Sequence, residues 1–274
     1  MTMRLHFEII SKNPIEKLYL YGIKKIAAIS TLVVIALLAV SCSRKTKTDS
    51  LNIALAANMQ FAMDSIADVY EQKEGVELVL SSNSSGMLAN QIMEGAPFDV
   101  FLSANKSYAD KLIEGGFAKS AEIYAHGRLV LVYESLDSLT SVDQVLKSNE
   151  IQRIGVANKI TAPYGIASNE LLSHLNSEEI NSKVIYGESV GQVNQYITTG
   201  AVDASLTSNS FITKFKDDYN YLMIDSNDYT PISQTACSLT HGLEEKSILV
   251  SNFVAFLDSD ECKEILTYFG YIVD

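Results

Sequence analysis

Strand-like and helical segments alternate along most of this chain, and that alternation restricts its fold more than any other feature. From residue 51 onward, short apolar runs of strand length are followed by stretches with apolar residues at helical spacing. The first pair is residues 51–57 and 59–70, and the helical stretch ends at Gly75. Parallel strands need a crossover, usually a helix. The pattern therefore predicts an α/β protein whose mainly parallel sheets carry helices on both faces.

The alternation continues over about 225 residues, more than one small sheet usually takes. The chain has four Pro, and no Pro- or Ser-rich linker interrupts the pattern. We therefore expect two α/β lobes that are joined by short crossings rather than by a flexible tether.

Residues 1–41 are interpreted as an export signal. Lys24 and Lys25 precede an uncharged apolar run over residues 26–40, and small residues follow. As a helix this run would span about 22 Å, less than the ~30 Å hydrocarbon core of a membrane, although a signal anchor remains the alternative. Residues 38–42 resemble a bacterial lipoprotein cleavage box, which implies lipidation of Cys42, a tether over residues 42–50 and a periplasmic or cell-envelope location.

The charge balance excludes one class of partner. The chain carries 21 Lys and Arg against 33 Asp and Glu, a net charge of −12. Removal of residues 1–41 takes away five basic and two acidic side chains and leaves −15. Nucleic acid is therefore not expected as a partner, because phosphate binding needs clustered cations. Cys237 and Cys262 could pair in an oxidising compartment or be two small buried apolar side chains.

Four strand-to-helix turns carry the candidate chemistry. They lie at residues 57–59, 84–86, 163–165 and 189–191. A helix N-terminus offers unpaired backbone N–H groups and the positive end of the helix dipole, and both attract anions. Each turn alone could be an ordinary helix cap, since Ser and Asn are preferred there. If all four face one cleft, they form an oxyanion site that needs no Lys or Arg.

A family resemblance links these turns. Residues 95–105, Gly-Ala-Pro-Phe-Asp-Val-Phe-Leu-Ser-Ala-Asn, resemble a characteristic stretch of periplasmic molybdate-binding proteins, the substrate receptors of molybdate ABC transporters. Residues 84–92, 56–59 and 162–165 resemble that family's turns. The resemblance implies a two-lobed, type II periplasmic-binding-protein fold with the ligand in the cleft between the lobes. It divides the chain into a first lobe of residues 51–126 and 232–274 and a second lobe of residues 127–231.

The resemblance also implies a ligand set in which hydrogen bonds alone hold the anion. The family's five positions fall on Asn58, Ser85, Tyr164, Val190 and Thr207. Ser85 and Val190 match the family; Asn58 replaces a Ser, Tyr164 an Ala that binds through its backbone, and Thr207 a Tyr. The implied ligand is molybdate or tungstate, with molybdenum present only inside the oxyanion and no direct protein ligand to it. No cofactor and no catalytic activity are expected. The resemblance implies a monomeric receptor that delivers its ligand to a membrane permease.

Two alternatives remain open. Another oxyanion, sulfate or phosphate, could be the ligand of the same site. Residues 187–191, Gly-Glu-Ser-Val-Gly, also fit the nucleophile turn of an α/β-hydrolase. Candidate partners for Ser189 follow it in the chain: Asp203, Asp217, Asp225, Asp228 and His241. The hydrolase interpretation lacks a Gly-rich oxyanion loop, and residues 240–242 are interpreted as a surface loop.

Overall fold

A computed structural model describes residues 21–23, 25, 49–134 and 139–273. The chain forms two compact units, residues 1–47 and 48–274, and almost all described residues belong to the second. Most of the predicted signal, together with Cys42 and most of the tether, lies outside the described residues. Within the described part of the chain, no helix has the length and apolar character needed to cross a membrane.

The second unit contains two five-stranded sheets with the same arrangement of strands. The first sheet has the order β2-β1-β3-β10-β4, where the strands are β1 (Ser50–Ala56), β2 (Glu77–Asn83), β3 (Val100–Ser103), β4 (Ala118–Gly127) and β10 (Ile232–Leu239). The second has the order β7-β6-β8-β5-β9, where the strands are β5 (Leu129–Tyr133), β6 (Ile154–Ala157), β7 (Val184–Gly187), β8 (Ala204–Ser208) and β9 (Asn220–Met223).

The described residues of the second unit form ten helices, in chain order α1 (Gln60–Glu74), α2 (Ser85–Met93), α3 (Lys106–Glu114), α4 (Val142–Lys147), α5 (Pro163–Leu175), α6 (Glu178–Ser182), α7 (Val190–Thr198), α8 (Asn209–Phe215), α9 (Thr240–Phe256) and α10 (Asp260–Tyr268). Short 3₁₀ turns lie at Ala57–Met59 and Ser226–Asp228. In each sheet, three neighbouring strands run parallel: β1 pairs with β2 and β3, and β6 pairs with β7 and β8. The α/β architecture with two helix-covered sheets is confirmed.

The sequence pattern did not predict β4 or β10, nor the antiparallel pairing in either sheet. β10 runs antiparallel to β3 and β4, and β5 runs antiparallel to β8 and β9. β10 is almost wholly buried although Ser, Gln and Thr make up half of it, so it lacks an apolar run. β4 buries only small residues at three of its ten positions. The expected loop at residues 240–242 is wrong, because Thr240 begins α9 directly after β10.

The chain crosses between the sheets over very short distances. β4 ends at Gly127 and β5 begins at Leu129, so only Arg128 separates them. The return segment runs from the end of β9 at Met223 to the start of β10 at Ile232. The crossing therefore positions the two sheets through backbone continuity rather than through a linker.

The two Cys of the second unit are free thiols on opposite faces of the first sheet. Cys237 on β10 packs with Leu88, Phe101 and Leu112, whereas Cys262 on α10 packs with the core around α1 and α9. Burial raises the pKa of each thiol to about 12. The open question of a disulfide is therefore answered by two separated, buried thiols.

We expect neither thiol to react with a thiol-specific disulfide reagent at pH 8 in the folded protein, because the thiolate is the reactive form and burial suppresses it. A Cys42→Ser variant of the full chain isolates the two positions. Denaturant should expose both thiols to rapid reaction. Fast labelling of either thiol before unfolding, or a loss of titratable thiol without reductant, would contradict the buried, unpaired state.

Candidate functional site

A small cavity lies where the strand-to-helix turns of the two lobes meet. Its volume is about 10 Å³, roughly the space that one water molecule needs. Nine residues line it: Ala56, Ala57, Asn58, Ser84, Ser85, Ala162, Pro163, Tyr164 and Val190. These include four of the five residues expected to bind the anion, and they come from all four of the turns singled out in the sequence. None of the nine residues is charged, so the cavity offers only uncharged polar groups.

Ser85 contributes from the first lobe, at the start of α2. Its neighbour Ser84 is the N-cap, and Ser85 is completely buried. The Ser85 Oγ accepts a hydrogen bond of 3.0 Å from the backbone N–H of Ala104, in the turn after β3. A hydroxyl that accepts one bond keeps its hydrogen to donate another. The bond from Ala104 thus orients Ser85 as a donor.

Asn58 lies in the 3₁₀ turn that follows β1, and its side chain is held from behind the cavity. The amide Nδ2 donates to Gln234 Oε1 at 2.9 Å and to the Tyr271 hydroxyl at 3.0 Å. The Asn58 carbonyl accepts from the Ser210 Oγ and the Tyr271 hydroxyl, both at 2.8 Å. Both amide hydrogens are therefore engaged. The groups that this turn can offer to the cavity are its backbone N–H groups.

Tyr164 and Val190 contribute from the second lobe at the starts of two helices. Pro163 and Tyr164 are the first two residues of α5, and Val190 is the first residue of α7. Pro163 has no backbone N–H, whereas the N–H groups of Tyr164 and Val190 have no partner within their own helix. Ser189 caps α7 by accepting from the backbone N–H of Gln192 at 3.3 Å. The two helix starts point unpaired donors toward the cavity.

The Tyr164 ring links the cavity to the crossing between the lobes. The ring is 2% exposed, and its hydroxyl has no hydrogen-bond partner among the described residues. Burial raises the pKa of Tyr164 well above its ordinary value, and the neighbouring Tyr271 adds to the effect. A Cβ added to Gly127 would lie 2.2 Å from the Tyr164 hydroxyl, so only glycine fits there. Tyr164 therefore packs directly on the last residue of β4.

Thr207 is the one expected ligand that does not line the cavity. It is fully buried in β8, and its Oγ1 donates to Asn194 Oδ1 on α7 at 2.5 Å. This bond ties α7 to the sheet behind it. In this arrangement Thr207 supports the helix that begins at Val190 instead of facing the cavity.

Contacts between the lobes show that the cleft is closed. The backbone N–H of Gly86 on α2 donates to the Thr161 carbonyl at 2.9 Å, and the Tyr108 hydroxyl donates to the Ile160 carbonyl at 2.9 Å. On the other side of the cavity, Phe61 on α1 packs edge-on against Phe215 on α8 with ring centroids 5.9 Å apart. These contacts join the two lobes, and all nine residues that line the cavity are buried.

The hydrolase alternative finds no support in this geometry. Ser189 acts as the cap of α7. Asp203 pairs with Arg153 at 2.9 Å. His241 lies at the exposed start of α9 in the first lobe, and no described hydrogen bond connects it to Ser189.

Sequence reasoning missed three residues that hold the site together, Gln234, Ser210 and Tyr271. Each contacts Asn58 from a position at least 152 residues away along the chain. Their residue types are ordinary for a core or a helix start, so no local pattern marks them.

Comparisons with known proteins agree with the fold and the site. The model of the family described as bacterial extracellular solute-binding protein matches residues 51–272. "Molybdate-binding protein ModA" of Azotobacter vinelandii is 32% identical over 228 residues, 81% of this chain and 89% of that protein. "Putative ABC transporter substrate-binding lipoprotein YvgL" of Bacillus subtilis is 28% identical over 260 residues, 90% of this chain and 97% of that protein.

Among solved structures, the Azotobacter vinelandii periplasmic molybdate-binding protein matches with a TM-score of 0.75 and 29% identity, covering 82% of this chain and 99% of that one. The resemblance to molybdate-binding proteins and the two-lobed fold are confirmed by these matches. The chain belongs to the family of bacterial extracellular solute-binding proteins.

We expect Gly86→Ala to prevent full closure of the cleft. The added Cβ would lie 2.9 Å from the Cα and from the carbonyl oxygen of Thr161, which is shorter than a normal van der Waals contact. Because both atoms belong to the backbone, the clash cannot be relieved by a side-chain rotation, and the second lobe must move away. Since Ala favours helix more than Gly does, the melting temperature should not fall. Small-angle X-ray scattering with added molybdate should show a larger radius of gyration than for the unaltered protein. Asn90→Ala, an exposed change on the same helix, is the control and should scatter as the unaltered protein does.

Proposed function

We propose that this solute-binding protein captures a tetrahedral oxyanion, molybdate or tungstate, in the cavity between its lobes and delivers it to the membrane permease of an ABC transporter. One observation carries the proposal: turns from both lobes meet at a buried cavity that no charged side chain lines. The relatives named for molybdate binding support the same ligand.

The donors of the cavity match the chemistry of a doubly charged oxyanion. Such an ion has only hydrogen-bond acceptors at neutral pH. A site made of N–H and O–H donors can therefore bond to each of its oxygen atoms without placing another acceptor beside them. A carboxylate in the site would instead select a protonated anion such as hydrogen phosphate. We assign the Ser85 hydroxyl and the backbone N–H groups of Ser85, Asn58, Tyr164 and Val190 as donors. Direct binding by Thr207 would require its hydroxyl to leave Asn194.

Selectivity should follow from size. The donors are fixed on packed helix starts, and they cannot all close onto an ion smaller than the one they fit. Molybdate and tungstate should therefore bind similarly and sulfate much more weakly. Closure would bring the second lobe, residues 127–231, onto the first lobe, residues 51–126 and 232–274, as a hinged movement about the crossings.

The remaining parts of the proposal concern location and mode of action. We propose that the protein works outside the cytoplasm and is anchored to the membrane by a lipid on Cys42. The Bacillus subtilis relative is named a lipoprotein, which supports this anchoring. It acts as a monomer, has no catalytic activity and carries no cofactor. The bound metal atom would contact protein only through its own oxygen atoms.

Calorimetry with molybdate, tungstate, sulfate and phosphate tests the ligand class. We expect tight binding of the first two anions and weak or no binding of the others. Tight sulfate binding without heat from molybdate would overturn the assignment of the ligand while leaving an oxyanion receptor.

Ser85→Ala tests the site. Loss of a hydrogen bond to a charged group should weaken binding by about 1.5–3 kcal/mol. Ser81→Ala, on the exposed part of β2, is the matched control and should leave the affinity unchanged. Equal affinities of the two variants would remove Ser85 from the site.

A serine-reactive fluorophosphonate tests the absence of hydrolase chemistry. We expect no labelling of Ser189, because its hydroxyl caps α7 and no described His contacts it. Stoichiometric labelling that Ser189→Ala abolishes would show an activated nucleophile and contradict a pure receptor.

A further inference from the structure

The carbonyl oxygen of Asn58 accepts hydrogen bonds from two buried hydroxyls that come from opposite sides of the cleft. The Ser210 Oγ, on α8 of the second lobe, and the Tyr271 hydroxyl, in the segment after α10, each lie 2.8 Å from it. Ser210 is 1% and Tyr271 5% exposed. A carbonyl has two lone pairs, and these two donors use both.

Tyr271 is held firmly in the first lobe. Its backbone N–H donates to the Leu266 carbonyl at 3.0 Å, and the next residue, Ile272, exchanges two backbone hydrogen bonds with His126 at the end of β4, at 2.7 and 2.9 Å. The Tyr271 hydroxyl also accepts from the Asn58 side chain at 3.0 Å. Tyr271 and Asn58 therefore stay together whether the cleft is open or closed.

Ser210 differs because its hydrogen bond crosses between the lobes. It lies at the start of α8, which packs on the second sheet through Phe211 and Ile212. Its Oγ also lies 2.8 Å from the Ser208 Oγ, so Ser208 can donate to it while Ser210 donates to Asn58. An opening movement that separates α8 from the Asn58 turn would break the bond from Ser210 to Asn58, whereas the Ser208 contact stays within the second lobe.

We propose that Ser210 and Tyr271 form a carbonyl clamp that fixes the cavity-lining Asn58 turn, and that Ser210 completes this clamp only on closure and thereby sets how long the anion is retained. The clamp rests on the proposed oxyanion function. Ser210 and Tyr271 are positioning residues, since both act on the backbone of Asn58 and neither lines the cavity. Because the bond from Ser210 exists only in the closed state, its loss should speed release and leave capture unchanged.

The experiment compares Ser210→Ala with Ser208→Ala in the full chain. Both changes remove a buried Ser hydroxyl from the same turn, but only Ser210 reaches the other lobe. Stopped-flow tyrosine fluorescence with molybdate gives the association and dissociation rates. For Ser210→Ala we expect dissociation about fivefold faster, the scale of one neutral hydrogen bond, with association unchanged. Ser208→Ala should change neither rate by as much as twofold.

A second measurement needs no ligand. Hydrogen exchange of the backbone N–H groups of Ala57–Met59 should be faster in Tyr271→Phe than in Ser208→Ala, because Tyr271 holds that turn in both states. It should also be faster in Ser210→Ala than in Ser208→Ala, to the extent that the free protein samples the closed state. If molybdate does not bind the unaltered protein, the proposed function fails, and the exchange measurement alone decides on the clamp. The clamp would be overturned if Ser210→Ala and Ser208→Ala had equal dissociation rates. If no anion binds, equal hydrogen exchange at this turn in the two variants would overturn it. A fall in melting temperature shared by both would show only a packing role.

Discussion

The site depends on bringing unpaired N–H groups from several helix starts to one point without a compensating cation. A single helix start offers a weak anion site on the protein surface, since water and salt compete for it. Two sheets that face each other with the carboxyl ends of their parallel strands bring four such starts together. Closure then removes water, so the same partial charges act at low dielectric. Under the proposed oxyanion function, the sheet topology would supply binding strength that a net charge of −12 does not suggest.

Much of this could be predicted from the sequence because the relevant signals are local. Apolar periodicity marks the strands and helices around the four turns, and Ser or Asn at a helix start is a short-range pattern. Ser85 and Val190 lie at helix starts, as the turn pattern indicated. The alternation of elements also sufficed for the α/β class, since it needs no knowledge of contacts between distant residues.

Other features could not be predicted because they depend on contacts between distant residues. The amide of Asn58 is occupied by Gln234 and Tyr271, 176 and 213 residues away. Thr207 bonds to Asn194 on a neighbouring helix, which residue type alone does not reveal. β10 is buried yet polar because Gln234 and Thr235 satisfy their hydrogen bonds inside the protein, so hydropathy gives no sign of a strand. Buried polar residues hide an element whenever tertiary contacts satisfy them.

The crossing at Arg128 has a consequence for how the two halves of the site find each other. With one residue between β4 and β5, each lobe confines the other to a small volume, and closure behaves as an intramolecular encounter at high effective concentration. The entropic cost of bringing donors from two lobes together is then largely accounted for by folding of the chain. Under the proposed function, little of the anion's interaction energy would be needed to unite the lobes, so most of it would remain to discriminate one anion from another.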